Sequence, residues 1–249
     1  MSDLKTYNHL FYQNQVLEST NSAKHIVPLI NEWFLPKSII DVGCGVGSWL
    51  NIWKNCKNVI EVKGVDAHFV DKSLFLIDDL NEFIEADLNK NLPHLKKFDV
   101  AMCLEVAEHL DEKRAVSFIK DLTDLSDVIV FSAAIPGQEG TNHVNEQFLK
   151  YWVEKFNKYD YKCYDVIRPL IWEVETISWW FRQNIVLFIK EGATLEIDLS
   201  NMQTFNCFDL VRKELLIHKI DKYNELVNLN KKKNTSITRI LKKAFNNFR

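Results

Sequence analysis

Seven residues constrain this chain more than any others: Asp41-Val42-Gly43-Cys44-Gly45-Val46-Gly47. They follow a short apolar run, Ser38-Ile39-Ile40, and precede a helical pattern carried by Trp49, Leu50, Ile52 and Trp53. Strand, glycine loop and helix in that order turn backbone N–H groups toward a ligand at the helix N-terminus. The spacing is G-x-G-x-G. A dinucleotide-type G-x-G-x-x-G loop wants its third glycine at position 48, which is Ser48 here. A carboxylate at Asp41 also suits a cationic ligand better than a pyrophosphate.

Apolar runs recur after this loop with helical patterns between them, as in a parallel sheet buried on both faces. Strands are expected at Ile39–Val42, Val59–Val65, Phe83–Ala86, Phe98–Leu104 and Asp127–Ala133, with Tyr161–Ile167 and Phe181–Lys190 as a closing antiparallel pair. Helices are expected over 5–35, where Ala23, Ile26, Val27, Ile30 and Trp33 share a face, and near 46–56, 111–125 and 144–158. At 249 residues and 47% hydrophobic, the chain can bury one sizeable core. In such a sheet, ligands bind outside the carboxyl ends of the strands, where the strand order reverses. That places the site at Asp41–Gly47, Asp66, Asp87, Leu104, Glu105 and the loop after Ala133.

Charge divides the chain unevenly. From residue 211 on there are eleven Lys and Arg against three Asp and Glu, a charge of +8, which leaves −11 for the rest. We expect a domain over 1–200 and a basic helical extension over 201–249, broken at Lys231-Lys232-Lys233-Asn234-Thr235-Ser236. No apolar run reaches the roughly 18 residues of a membrane span, and the N-terminus lacks a signal-peptide core. The five cysteines are odd in number, widely spaced and form no C-x-x-C, as expected of reduced thiols in the cytoplasm. The basic tail, with Ile237, Ile240, Leu241, Ala244, Phe245 and Phe248 in a stripe, reads as a membrane-surface helix or an oligomer contact. No motif marks it for nucleic acid.

The ordered motifs resemble those of class I S-adenosylmethionine-dependent methyltransferases. Asp41 through Gly47 is similar to that family's first motif, Asp66 to its ribose-binding acid, Glu85-Ala86-Asp87-Leu88 to its adenine-contacting motif, and Phe98 through Leu110 to its fourth-strand motif. The resemblance covers about residues 20–190. It implies a Rossmann-like α/β fold, a seven-stranded, mostly parallel sheet with helices on both faces. It also implies S-adenosylmethionine as cofactor, bound by Asp41, Gly43, Gly45, Gly47, Asp66, Asp87, Leu88, Leu104 and Glu105. A narrower resemblance lies in Phe131 through Gln138, His143 through Gln147, Tyr151-Trp152, Arg168-Pro169, Trp172 and Gln183-Asn184. These residues resemble a bacterial subgroup associated with capsule and O-antigen synthesis, including methyltransferases of phosphoramidate-decorated capsules. The frequent glycine of that subgroup after Gln138 is Glu139 in this chain.

The same residues make chemical sense for a sulfonium cation carrying adenosine. Glycines let the backbone approach it, Asp66 can accept from two ribose hydroxyls, and Asp87 from an adenine amine. One acid after a strand reads as a helix N-cap; three at successive strand ends favour the ligand. Methyl transfer needs alignment of acceptor, methyl and sulfur, and a hydroxyl acceptor needs a base such as histidine. His143, after the fifth strand, is the first candidate and equally a helix-start residue. His109 lies one turn from Glu105 and reads as an orienting partner, and Glu146 completes the candidate catalytic set. Glu105, His109, His143 and Glu146 form a conceivable divalent set, but their spacing lacks a zinc motif's specificity, so no metal is assigned. Gln138, Asn145, Arg168 and Trp172 are the expected acceptor contacts, with Trp179, Trp180 and Phe181 read mostly as core. These readings point to O-methylation of a glycan precursor or its phosphate-containing decoration. The alternatives are N-methylation of an amino sugar or small amine, and a non-catalytic cofactor-binding scaffold.

Overall fold

The computed structural model describes residues 9–68, 70, 72–77, 80–195, 197–202, 204, 205 and 207–246. The chain divides into two compact units, Met1–Leu210 and Val211–Arg249. The first unit holds one seven-stranded sheet. Its strands are β1 (Ser38–Val42), β2 (Glu61–Asp66), β3 (Phe83–Glu85), β4 (Val100–Leu104), β5 (Val128–Ser132), β6 (Tyr161–Tyr164) and β7 (Val186–Lys190), in the spatial order β3-β2-β1-β4-β5-β7-β6. The five strands from β3 to β5 in that order pair in parallel; β7 is antiparallel to both β5 and β6. This is the expected Rossmann-like sheet with its closing hairpin, and its order reverses between β1 and β4.

Both sheet faces are buried, which explains why the central strands read as continuous apolar runs. Ile39, Val62, Val100, Met102, Val130 and Leu187 face one layer, with Ala23, Ile26, Ile30 and Trp33 of α1 (His9–Phe34) and Leu50 and Trp53 of α2 (Ser48–Lys54). Ile40, Val42, Val65, Cys103, Ile129 and Phe131 face the other, with Phe118 and Leu122 of α3 (Ala115–Leu125) and Trp152 and Phe156 of α4 (Leu149–Phe156). The Phe156 and Phe188 rings stack at 3.7 Å between centroids. The predicted α1 face is buried throughout. That helix stops where Leu35 turns left-handed (φ 43°) and donates its N–H to the Asn31 carbonyl, ahead of Pro36.

Several boundaries differ from those expected. Residues 144–148 form no helix, because Val144 and Asn145 donate both backbone N–H groups to the Glu108 carbonyl. The predicted Tyr161–Ile167 strand ends at Tyr164, and the short helix α5 (Arg168–Ile171) follows. Phe181–Lys190 is not one strand: its first residues belong to α6 (Trp179–Asn184). In the second unit, α7 runs unbroken over Lys213–Asn246. Lys, Asn, Thr and Ser lower helix propensity only slightly, and residues 231–236 contain no Gly or Pro. Along α7, Leu216, Ile217, Ile220, Tyr223, Leu226 and Leu229 are exposed; the stripe expected over 237–248 lies outside the described side chains. Among the described residues no helix is long and apolar enough to cross a membrane.

One glycine couples the sheet to the glycine loop. Gly64 of β2 pairs with Asp41 of β1. A Cβ there would lie 2.6 Å from the Cys44 sulfur and 3.0 Å from Leu50 Cδ1. The loop therefore seats on bare backbone. Gly64→Ala should overpack this contact and cost about 1–3 kcal/mol, read as a fall of several degrees in Tm. An unchanged Tm would show that the loop can shift freely on β2.

Candidate active site

The glycine loop is built on hydrogen bonds to β2. Gly43 and Cys44 donate to the Val65 carbonyl (2.7 and 3.2 Å), and Gly47 to the Cys44 carbonyl (2.9 Å). Gly43, Gly45 and Gly47 all adopt positive φ (83°, 53° and 84°), where L side chains are strained. Their surroundings differ. A Cβ on Gly43 would lie 2.2 Å from Val106 Cγ2, so Gly43 serves close packing; a Cβ on Gly45 would meet nothing within 4 Å. Asp66, at the end of β2, accepts from Gly45 N–H and Ala67 N–H, both at 2.6 Å. Burial raises its pKa, against the pull of those two amides. Asp41 is almost wholly buried, and burial, with the Asp66 charge second, pushes it up to about 8.

A cavity of about 420 Å³ opens at this edge, a volume suited to a small ligand. Val16, Glu18 and Ser19 of α1, Gly43–Val46, Ser48 and Trp49 form part of its wall. Leu104, Glu105, Glu108, His109, Gln138–Thr141, His143 and Trp179–Phe181 complete it. Glu105 follows β4 in a left-handed conformation (φ 55°). Its N–H is held by the Ser132 carbonyl and hydroxyl (3.0 and 3.1 Å). Its carboxylate accepts from Gln138 Nε2 (2.6 Å) and Asn184 Nδ2 (3.1 Å), and Asn184 Nδ2 also donates to Gln138 Oε1 (2.9 Å). Burial raises the Glu105 pKa, and these bonds oppose it.

The loop after β5 carries the histidine. Glu146 accepts from the N–H groups of Gly137 and Glu139, both at 2.7 Å, and pairs with His143 Nδ1 at 2.9 Å. It thereby folds the loop and orients the ring. Glu139, where the resembled subgroup often has glycine, takes the glycine-like conformation (φ 60°), so the turn survives the exchange. The His143 ring meets His109 edge-on at 4.8 Å between centroids. Burial, and then the neighbouring His143, lower the His109 pKa to about 4, against the backbone at Asn142 and Thr141.

The structure gathers Gly43, Gly45, Leu104, Glu105, His109, Gln138 and His143 on the cavity. Asp41 is buried beneath the glycine loop, and Gly47, the last glycine of that loop, is buried and not part of the cavity wall. Asp87 stands exposed at the end of β3, accepting from Asn89 N–H (3.0 Å), and Leu88 is buried in the core. Asn145 is buried, its side-chain carbonyl taken by Gln147 (3.0 Å). Arg168 does not reach the site. All five of its N–H groups are used, two on Asp165 (both 2.7 Å) and three on the carbonyls of Gln183, Phe208 and Cys207. Its fork ties the chain after β6 together, and the Asp165-x-x-Arg168 spacing is the sequence signal for that pairing. Trp172 packs edge-on against Phe205 (4.8 Å) and is not part of the cavity wall. Trp179 and Trp180 are part of it, although their run of aromatics read as core.

Residues 20–182 match the sequence profile of a methyltransferase domain, and the chain belongs to that family. Its cofactor is S-adenosylmethionine. No curated protein matches the chain. Among solved structures, magnesium protoporphyrin IX methyltransferase (ChlM) from Synechocystis PCC 6803 with bound SAH is 16% identical, with TM-score 0.51, over 74% of this chain and 88% of that one. The O-methyltransferase NcsB1 from neocarzinostatin biosynthesis is 16% identical, TM-score 0.51, over 76% and 60%. The small RNA methyltransferase HEN1 is 18% identical, TM-score 0.52, over 70% of this chain but only 26% of its own. At these identities the likeness is one of fold.

Two measurements probe this edge. Gly45→Val directs methyl groups into open space at the cavity, so calorimetry with S-adenosylhomocysteine should show binding abolished in a folded variant; unchanged affinity would remove the loop from the cofactor site. Asp41 holds its proton more tightly folded (about 8) than unfolded (~3.9). Its stabilising contribution is complete below pH ~4 and is lost as pH rises through about 8. Asp41→Asn should therefore lose less Tm than the wild type between pH 6 and pH 8.5; parallel curves would exclude Asp41 as the source.

Proposed function

We propose that this methyltransferase acts on an oxygen of a surface-glycan precursor or of its phosphate- or phosphoramidate-containing decoration. The observation that supports this most is one cavity lined by both a histidine pair and two tryptophans. Imidazoles suit a hydroxyl acceptor, and the flat faces of Trp179 and Trp180 suit a sugar ring. The subgroup resemblance adds weight, since Gln138, Gln183 and Asn184 of its pattern form one hydrogen-bonded group around Glu105. Amino-sugar N-methylation would make less use of the histidines. A scaffold without chemistry would have no use for a ring as tightly oriented as His143.

In this reading Gly45 admits the cofactor, Asp66 and Asp87 take its ribose and adenine, and the sulfonium methyl points toward His143. The acceptor oxygen forms the new C–O bond as the methyl–sulfur bond breaks, and the sulfur keeps that electron pair and leaves as the neutral thioether. The hydroxyl proton is lost into the His109–His143 cluster. Gln138 acts as a positioning residue, because both ends of its amide already serve Glu105 and Asn184, whereas Asn145 gives only its side-chain carbonyl, to Gln147. The cytoplasm is the expected setting, in keeping with five unpaired cysteines. The exposed apolar residues and +8 charge of segment 211–249 favour a contact with an anionic surface or another copy of the chain.

His143→Ala should lower kcat by roughly 10²–10⁴ while S-adenosylmethionine affinity stays within a few-fold. Gly140→Ala should act in the same direction, because its Cβ would lie 2.3 Å from His143 Nε2. The assay is mass-spectrometric methyl transfer to a panel of nucleotide sugars, phosphorylated sugars, amino sugars and an RNA oligonucleotide. Transfer confined to RNA or to amines would overturn the acceptor assignment, and a fully active His143→Ala enzyme would overturn the role of the loop.

A further inference from the structure

The fold leaves one carboxylate at the cavity without a partner. Glu108 has no exposed surface, and neither of its oxygens has a hydrogen-bond partner. Burial, and then the neighbouring Glu105, push the Glu108 pKa well up; the amides of Glu108 and Ala134 oppose this, but neither completes a hydrogen bond. Its backbone, in contrast, is pinned, since its carbonyl accepts from Val144 and Asn145, both at 2.9 Å. Burying an unpaired carboxylate is costly. A wall that keeps one beside a ligand cavity is built for a cation.

The neighbours have the chemistry to complete such a site. Glu108, His109 and His143 each offer a ligand atom, and these atoms all lie within 4.8 Å of one another. His143 Nδ1 faces Glu146 at 2.9 Å, which leaves Nε2 as its ligating nitrogen. A carboxylate behind a histidine is the usual outer support of a metal ligand: it sets the tautomer and raises the basicity of the other nitrogen. This is not the set the spacing suggested. Glu105 is engaged by Gln138 and Asn184, and Glu146 by two amides and the ring. Glu108 takes their place.

We propose that Glu108, His109 and His143 hold one divalent transition-metal ion. Two imidazoles and one carboxylate suit Mn²⁺, Fe²⁺ or Zn²⁺ better than Mg²⁺, which prefers oxygen ligands. Three protein ligands leave coordination positions on the cavity side. There, and this half rests on the methyl-transfer reading above, the ion receives the acceptor's oxygens, so the acceptor is one that offers two adjacent oxygens, a vicinal diol or a phosphate ester. His143 then acts on the acceptor through the ion: with the rings serving as ligands, the ion lowers the pKa of a hydroxyl acceptor and its proton leaves to water instead of to the histidines.

The test uses the full chain, freed of metal by chelation and titrated with Mn²⁺ alone, followed by electron paramagnetic resonance and calorimetry, then with Zn²⁺ and Mg²⁺. We expect one Mn²⁺ per chain, weaker Mg²⁺ binding, and a Tm raised by roughly 5 °C at hundredfold excess over Kd. Glu108→Gln should lower Mn²⁺ affinity at least about tenfold yet leave the metal-free protein at least as stable, read as an equal or higher Tm, because it removes a buried carboxyl that has no hydrogen-bond partner. Glu146→Gln should weaken the ion by about 10–100-fold. Should Glu108→Gln fail to fold, His143→Ala carries the same expectation for Mn²⁺ affinity. Absence of saturable Mn²⁺ and Zn²⁺ binding, or affinity unchanged in Glu108→Gln and His143→Ala, would overturn the site. The titration contains no cofactor and no acceptor, so that failure leaves the methyl-transfer reading intact. A protein that binds the ion but methylates nothing in the panel would sink only the acceptor reading.

Discussion

Burying a carboxylate strips it of water, and the carboxyl edge of this sheet buries several, each of which demands donors from somewhere. Asp66 draws on the amides of Gly45 and Ala67. Glu105 draws on Gln138 and Asn184, and Glu146 on Gly137, Glu139 and His143. Gly45, Gln138 and Asn184 come from segments far from the acids they serve, so satisfying those charges also fixes the loops. The glycine loop is tied to β2, the end of β4 to the loop after β5 and to α6, and that loop to itself. Preorganised polar groups of this kind need little reorganisation when charge moves during reaction. Glu108 stands outside the pattern, which is why it points to an ion.

Backbone strain collects in the same place. Glu105, Glu139 and Asn142 hold positive φ without being glycine, and Gly43, Gly45, Gly47 and Gly137 hold it as glycines. A non-glycine residue in such a conformation costs on the order of 1–3 kcal/mol. It persists only where surrounding contacts over-determine it, and here they do: the amide of Glu105 meets two acceptors on Ser132, and that of Glu139 meets Glu146. Two strained residues on one cavity wall, Glu105 and Glu139, each held by hydrogen bonds, mark a site whose geometry matters more than its stability.

The sheet and its glycine loop were legible because apolar strands that end in acids are a local signal. Periodicity shows Ile39–Val42 directly, and the residues following each strand sit at one edge by topology alone. The buried α1 face followed from spacing of the same kind. Long-range pairing is not written locally. Nothing near Gln183-Asn184 says that these side chains reach back to Glu105 and Gln138, and α6 looked like the start of β7 because Trp179 through Phe181 is as apolar as a strand. Arg168 misled for the opposite reason. It was expected at the acceptor because its fork suits a phosphate, whereas Asp165 three residues earlier neutralises it and lets it enter the core. The break expected at 231–236 does not occur, because a polar, charged run without glycine or proline does not stop a helix.

The cavity walls bring these levels together. One wall is α1, near the start of the chain; another is α6, about 160 residues later. Ser178 donates its N–H to Ser22 Oγ (3.2 Å), and Thr176 Oγ1 meets His25 Nε2 (2.8 Å), so the entry to α6 is fastened to α1. The six residues of α6 then carry two functions in sequence. Trp179, Trp180 and Phe181 face the cavity, Phe181 edge-on to Trp49 at 5.2 Å, and Asn184 reaches Glu105. The aromatic wall that would grip an acceptor and the polar floor that shapes the site are thus one rigid piece. A change in how α1 meets residues 176–178 would move both together, which makes that junction, remote from any reacting atom, the hinge on which the fit between acceptor and floor depends.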